Sequence, residues 1–310
     1  MDKPKPSRAP QTRAKAMTPP RTVLAPRRDQ PLTAPEVSAA KGKRRLVMIT
    51  AFDEPSARVA DAAGVDMVLV GDSLAMAVLG RPDTLSVTLQ EMIHHTRAAA
   101  LGVKHALLVA DMPFGSFQVS VPEAVRNACR LVAEGGARAV KLEGPRTKEV
   151  AAICAAGVPV VGHLGLTPQS LHRLGGYRVQ GRQVEEAVML VDQARALQQA
   201  GAFSLVLEAI PAPLGEAITR ALDIPTIGIG AGPRCDGQVL VWADLLGLAP
   251  SAPPRFVRRY ANLAQAAQAA IAAFAADVRT QRYPTADESY PSSAEFARAL
   301  EKRLKERQAC

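Results

Sequence analysis

The sequence is poor in aromatic residues and in cysteine, and it holds no long apolar run. Aromatic side chains make up 4% of the 310 residues, with one Trp, so a core must be built from aliphatics and alanine. No charge-free apolar stretch of about 18 residues occurs, which argues against a membrane-spanning helix. The four cysteines (Cys129, Cys154, Cys235 and Cys310) lie far apart with no CxxC pair. That spacing offers no zinc ribbon or dithiol redox motif, and fits reduced thiols in a cytoplasmic protein.

Negative charge is scarce at one end. Residues 1–45 carry twelve Lys or Arg against Asp2, Asp29 and Glu36, so this segment alone accounts for the net charge of +9. The rest of the chain balances, and nucleic-acid binding is not expected of the core. Residues 1–32 hold prolines at 4, 6, 10, 19, 20, 26 and 31, which break any amphipathic helix and predict a disordered basic extension. The extension lacks the apolar segment of a secretory signal. It is acid-poor like an organelle transit peptide but poor in Ser and interrupted by Pro, so organelle targeting is the minor alternative. A solvated extension, or a start site ahead of Met17, is the main reading.

From about residue 44 the chain becomes a regular alternation. Strand-like apolar runs fall at 45–51, 67–72, 105–111, 138–143, 158–163, 204–208 and 225–229. Helical stretches lie near 54–63, 88–101, 121–135, 147–156, 184–200 and 212–222, mostly ending in glycine (Gly64, Gly102, Gly135, Gly157, Gly201), as left-handed C-caps require. Asp236–Gly247 reads as helical, Arg255–Tyr260 as an eighth strand and 262–277 as a closing helix. Strands apolar on both faces imply a parallel sheet covered by helices. Eight such units predict an α/β (β/α)8 TIM barrel over residues 33–280. A doubly wound open sheet is the alternative, but no GxGxxG turn follows the first strand. Residues 281–310 form a polar tail with a charged helical patch at 293–307, expected on the surface or at a subunit contact.

Four of these runs end in a carboxylate: Asp72, Asp111, Glu143 and Glu208. A buried charge costs several kcal/mol unless it is paired or binds a metal. Acids at the same end of several barrel strands therefore read as one site. Asp72 and Asp111 also suit helix N-caps. Lys141 and Glu143, two apart on a strand, share a face, and a structural ion pair is the alternative to a functional one. Asp72, Asp111 and Glu143 offer hard oxygen ligands without thiolate, which favours Mg²⁺, with one acid, foremost Glu143, acting through water. Glu208, among apolar neighbours with no cation near it in sequence, is expected to have a raised pKa and to serve as a general base; a fourth ligand or a structural Glu is the alternative. His163 reads as a structural histidine, and His94 and His95 as inert residues of an exposed helix. Gly228–Gly232 is weak as a phosphate loop, since it lies after strand seven and lacks a Lys-Ser/Thr partner.

With these motifs the chain resembles the ketopantoate hydroxymethyltransferase family from about residue 33 to 290. The anchors are Met48-Ile49-Thr50-Ala51-Phe52-Asp53, Val70-Gly71-Asp72-Ser73-Leu74 and Ala110-Asp111-Met112-Pro113-Phe114-Gly115-Ser116. Val140-Lys141-Leu142-Glu143-Gly144, Gly162-His163-Leu164-Gly165-Leu166-Thr167-Pro168-Gln169-Ser170 and Gly176–Arg182 come next in order. Leu207-Glu208 and Gly228–Gly232 leading to Asp236–Val241 complete the set.

The resemblance implies a barrel of the phosphoenolpyruvate-mutase-like superfamily, a bound Mg²⁺, and a homo-oligomer, a decamer in size. It implies metal ligation by Asp72 and Asp111, with Glu143 directly or through water. It further implies that Asp72, Ser73, Asp111 and Lys141 bind the oxoacid, and that Glu208 accepts a proton. The implied reaction transfers a hydroxymethyl group from methylenetetrahydrofolate to 2-oxoisovalerate, giving 2-dehydropantoate for coenzyme A synthesis. Phe52 stands where the family commonly has Tyr, Ser86 where Pro is frequent, Pro145 where Gly is common, and Ala243 where His is frequent. None removes a ligand or the base. Two other classes remain open: another Mg²⁺-dependent oxoacid lyase or mutase on the same barrel, and a non-catalytic oxoacid-binding paralogue.

Overall fold

Short runs of Val, Leu, Ile and Met, all but the seventh succeeded by a helix, produce eight parallel strands in a computed structural model describing residues 30–249 and 253–308. The expected disordered extension, up to residue 29, lies outside the described residues. The strands are β1 (Leu46–Thr50), β2 (Met67–Val70), β3 (Leu107–Asp111), β4 (Ala139–Glu143), β5 (Val160–Gly165), β6 (Ser204–Glu208), β7 (Thr226–Ile229) and β8 (Gly237–Leu240). They pair in sequence order and close through β8 against β1, with Leu46 opposite Gly237 and Met48 opposite Val239.

The helices, in chain order, begin with α1 (Ala34–Ser38), α2 (Glu54–Ala62), α3 (Leu74–Ala77), α4 (Leu89–Ala100), α5 (Val121–Ala133) and α6 (Thr147–Ala155). They continue with α7 (Leu171–Leu174), α8 (Val184–Gln199), α9 (Ala212–Ala221), α10 (Trp242–Leu246), α11 (Leu263–Arg279) and α12 (Ala294–Gln308). Capping is local and legible: Asp53 accepts from the Ser56 N–H at 2.8 Å, and Thr88 with Glu91 forms a capping box at the start of α4.

The period of two along each strand divides the apolar residues into two cores. Met48, Met67, Leu69, Leu107, Val109, Val161, Val206 and Ile227 fill the barrel interior, and its lower end is plugged by Leu32 and by Ala34 and Val37 of α1. Val68, Val70, Leu108, Val140, Leu142, Leu205 and Leu207 face outward onto the helices. The alternation that sends Val109 inward does the same for Asp111; β4, β5 and β6 likewise turn Lys141, Glu143, His163 and Glu208 into the barrel.

Three expectations need correction. Asp236–Gly247 is not one helix: its first part is β8, which pairs with both β7 and β1, and only Trp242–Leu246 is helical. Arg255–Tyr260 is a turn leading into irregular chain. Its three arginines could not be buried in an all-parallel sheet covered by helices, and Arg255 and Phe256 instead line the cavity above the barrel. Gly102 and Gly135 are not left-handed caps. Gly136 takes that conformation (φ 77°), while a Cβ on Gly102 would stand 2.4 Å from Glu54 O, so this glycine allows close approach of α2.

Candidate active site

The four acids meet at the C-terminal mouth of the barrel, around a cavity of about 990 Å³ lined also by Ser73, Lys141 and His163. Gly71 makes room for them: a Cβ there would stand 3.0 Å from Ser73 Oγ and 3.4 Å from Asp111 Oδ2. The Asp72 N–H donates to Asp111 Oδ2 at 3.0 Å, and Lys141 Nζ stands 2.7 Å from Asp111 Oδ1. Asp72, Asp111, Lys141 and Glu143 are all buried.

The electrostatics arise from that crowding. Burial, then the neighbouring Asp111 and Glu143 carboxylates, push the Asp72 carboxyl well above its ordinary value. Burial also raises Asp111, against the opposing pull of Lys141. Burial disfavours the Lys141 ammonium, but Asp111, Glu143 and Asp72 together raise its pKa. Lys141 is thus a fixed positive charge among carboxylates that resist ionising together.

That excess of acid over base suits a divalent cation, which would hold the carboxylates ionised. Glu143 Oε1 is buried without a hydrogen-bond partner, an acceptor left for a ligand. Among the described residues, however, no three His, Cys, Asp or Glu side chains stand close enough to hold an ion by themselves. A cation here would therefore rest on few protein oxygens and complete its shell with water and substrate, which is the habit of Mg²⁺.

Glu208 closes the opposite wall. Its side chain is 19% exposed, and its Oε2 stands 3.3 Å from His163 Nε2. The expectation that Glu208 has only apolar surroundings is therefore corrected. Its cationic neighbour comes from β5, the adjacent strand, where Gly165 pairs with Glu208. Ala209, directly after it, holds a left-handed φ of 46°, a strained conformation of the kind that clusters at functional sites.

Sequence reasoning missed three residues. His163 lies between Glu143 and Glu208; burial and the Lys141 ammonium push its pKa down, but the two carboxylates outweigh them and hold it up at about 9. Gln169, on the 3-10 turn Pro168–Ser170, donates to Asp72 Oδ2 at 2.9 Å. Thr84 lines the cavity with a buried hydroxyl that has no hydrogen-bond partner. The one available signal was that His163 and Gln169 fall in the Gly162–Ser170 run. His95 is half-buried rather than exposed, with Nδ1 2.7 Å from Phe52 O, and Phe52 belongs to the outer core.

The family model for ketopantoate hydroxymethyltransferase matches residues 31–286. The chain belongs to the ketopantoate hydroxymethyltransferase family. Within that family, it is 54% identical over 263 residues to the 3-methyl-2-oxobutanoate hydroxymethyltransferase of Nitratidesulfovibrio vulgaris, covering 84% of this chain and 86% of the relative. The enzyme of the same name from Moorella thermoacetica is 55% identical over 262 residues, covering 84% of this chain and 97% of the relative. Among solved structures, phosphonopyruvate hydrolase in complex with oxalate and Mg²⁺ superposes with a TM-score of 0.54 at 18% identity, over 90% of this chain and 99% of that one. A 2,3-dimethylmalate lyase of the PEP mutase/isocitrate lyase superfamily gives 0.52 at 17% identity, over 87% and 98%. These structural likenesses establish the shared barrel. The family members' sequence likeness extends over the strands that carry all four acids.

Proposed function

We propose that this chain is a 3-methyl-2-oxobutanoate hydroxymethyltransferase: it joins the one-carbon unit of methylenetetrahydrofolate to C3 of 2-oxoisovalerate and releases 2-dehydropantoate. The observation that carries this reading is the opposition, across one cavity, of an acid cluster bearing Lys141 and a separate carboxylate, Glu208. Removing a proton from C3 requires both a base and a place to put the resulting negative charge.

Asp72 and Asp111 would hold Mg²⁺, with Glu143 acting through water, in keeping with the lack of a three-acid cage among the described residues. Bound there, Mg²⁺ supplies Lewis-acid stabilisation of charge on the 2-oxo oxygen. Ser73 and Lys141 bind the carboxylate and oxo end of the oxoacid, and the Lys141 ammonium lies where the oxyanion develops. Glu208 takes the C3 proton, with His163 beside it holding the carboxylate in place. Water adds to the methylene carbon of the folate and tetrahydrofolate departs, leaving formaldehyde. The enolate carbon attacks the formaldehyde carbon, and the proton held by Glu208 passes to the new alkoxide to complete the hydroxymethyl group. The cavity is at the upper end of ordinary small-molecule sites, which accommodates a folate over the oxoacid.

Residues 33–280 are the catalytic barrel, and the remainder of the chain is accessory. A homo-oligomer, a decamer by family resemblance, is supported by α11 and α12, which bury no residue, and by Val47, 49% exposed beside the β8 closure. Exposed apolar side chains of that extent are what a subunit contact would cover. No described helix is long and apolar enough to cross a membrane, and a cytoplasmic location is the reading that fits the free cysteines Cys129, Cys154 and Cys235.

The test is proton NMR of 2-oxoisovalerate in D₂O with protein, Mg²⁺ and methylenetetrahydrofolate. Loss of the C3 proton signal with growth of a hydroxymethyl signal is expected. Neither change, from folded and Mg²⁺-supplied protein, would sink the proposal.

A further inference from the structure

Gln169 commits its backbone N–H and both ends of its side-chain amide to the acid cluster and its surroundings. Its backbone N–H donates to Glu143 Oε2 at 3.0 Å. Its side-chain Nε2 donates to Asp72 Oδ2 and to the Met112 carbonyl, each at 2.9 Å. Its Oε1 accepts from Gln118 Nε2 at 3.0 Å, and Gln118 Oε1 in turn accepts from the Gly115 N–H at 2.8 Å. The residue is buried, with 6% exposure. A single residue, four past the end of β5, thus ties together the ends of β2, β3 and β4.

The amide has one orientation that works. Rotated by half a turn, its oxygen would face two acceptors, Asp72 Oδ2 and Met112 O, and its NH₂ would face the donor of Gln118. Fixing that orientation is the task of Gln118. The consequence falls on the carboxylates. With Oδ2 taken by Gln169, Asp72 keeps Oδ1 for a cation; with Oε2 taken, Glu143 keeps the buried Oε1, which makes no hydrogen bond and stands 3.5 Å from His163 Nδ1. Three mutually repelling acids need holding in place, and a neutral donor does so without adding or cancelling charge. A lysine or arginine there would compete with the metal.

We propose that Gln169, oriented by Gln118, is a positioning residue that presents Asp72 and Glu143 to the divalent cation. The inference rests on the metal reading given above. Groups that orient metal ligands typically alter affinity or activity by about 10–100-fold when removed.

The test is calorimetric titration of Mg²⁺ into full-length protein with 2-oxoisovalerate present, comparing wild type with Gln169→Met, which keeps length and removes all side-chain donors. The expected result is Mg²⁺ affinity weaker by about 10–100-fold, with turnover recovering as Mg²⁺ is raised. Unchanged affinity overturns the inference. So does a lowered melting temperature without an affinity change, which a purely structural role would give. If Gln169→Met does not fold, Gln118→Leu decides: weaker Mg²⁺ binding supports the inference, and unchanged binding overturns it. Wild-type protein that binds no Mg²⁺ would remove the metal reading itself, whereas equal binding by wild type and variant removes only the role of Gln169.

Discussion

His163 Nε2 stands 3.3 Å from Glu208 Oε2 while its Nδ1 stands 3.5 Å from Glu143 Oε1, so one buried imidazole links the acid cluster to the opposite wall. The two carboxylates outweigh burial and Lys141 and keep the ring charged up to about pH 9, against an ordinary value of 6.5. A folded-state pKa raised in this way stabilises the protein fully below the unfolded value, and that contribution is lost as pH rises through the folded one. His163→Gln is therefore expected to lower the melting temperature of metal-free protein most near pH 6, with the gap narrowing toward pH 9 and above. Melting curves at the two pH values check this; a gap that does not change with pH would remove the charged imidazole from the account.

Glu208→Gln should keep Mg²⁺ and oxoacid binding and lose at least ~100-fold in turnover, the lower range for removing a general base. The amide is isosteric and cannot take the C3 proton. Steady-state rates beside oxoacid titrations separate the two effects, and turnover within a few-fold of wild type would exclude Glu208 as the base.

Asp111→Asn should weaken Mg²⁺ binding, measured by calorimetry with oxoacid present. It removes one charge from the cluster and the anionic partner 2.7 Å from Lys141. Unchanged Mg²⁺ affinity would break the assignment of Asp111 as a ligand.

Much of this was legible in the sequence because strand periodicity and strand ends are local. Asp111, Glu143 and Glu208 end apolar runs, so their common mouth emerged once the runs were read as parallel barrel strands. Asp72 came from the same pattern, just beyond the end of β2. His163 and Gln169 were not readable as partners of those acids. His163 meets Glu208 across the β5–β6 register, and Gln169 reaches Asp72 from 97 residues away, a contact no sequence window contains. β8 escaped for another reason: in Gly237-Gln238-Val239-Leu240 only the last two residues are large and apolar, and pairing with β1 and β7 supplies what its own composition does not.

Ala209→Gly tests whether the backbone at the base is held under strain. A left-handed L-residue costs about 1–2 kcal/mol that glycine avoids, while glycine's freer unfolded chain returns part of it. Stability should change by no more than about 1 kcal/mol in either direction, while turnover falls because Glu208 loses a fixed neighbour. Melting temperature and kcat measured on the same preparation separate these. Unchanged kcat would mean that the conformation of Ala209 does not position Glu208.

Gly237→Ala tests the strand that closes the barrel. A Cβ at this position would lie 2.5 Å from Leu46 O and 2.7 Å from Ile227 Cδ1, so either β8 must move away from both neighbours or the closure must open. Overpacking of this kind costs about 1–3 kcal/mol, which in a domain of this size lowers the melting temperature by several degrees. Arg258→Gly, in the segment that sequence alone marks as the closing strand, should cost no more than about 0.5 kcal/mol, as exposed positions outside regular structure do. Thermal unfolding of the two variants side by side decides between the two closures. The opposite ranking, with Arg258→Gly the more damaging, would return the eighth strand to residues 255–260 and leave β1 without its observed partner.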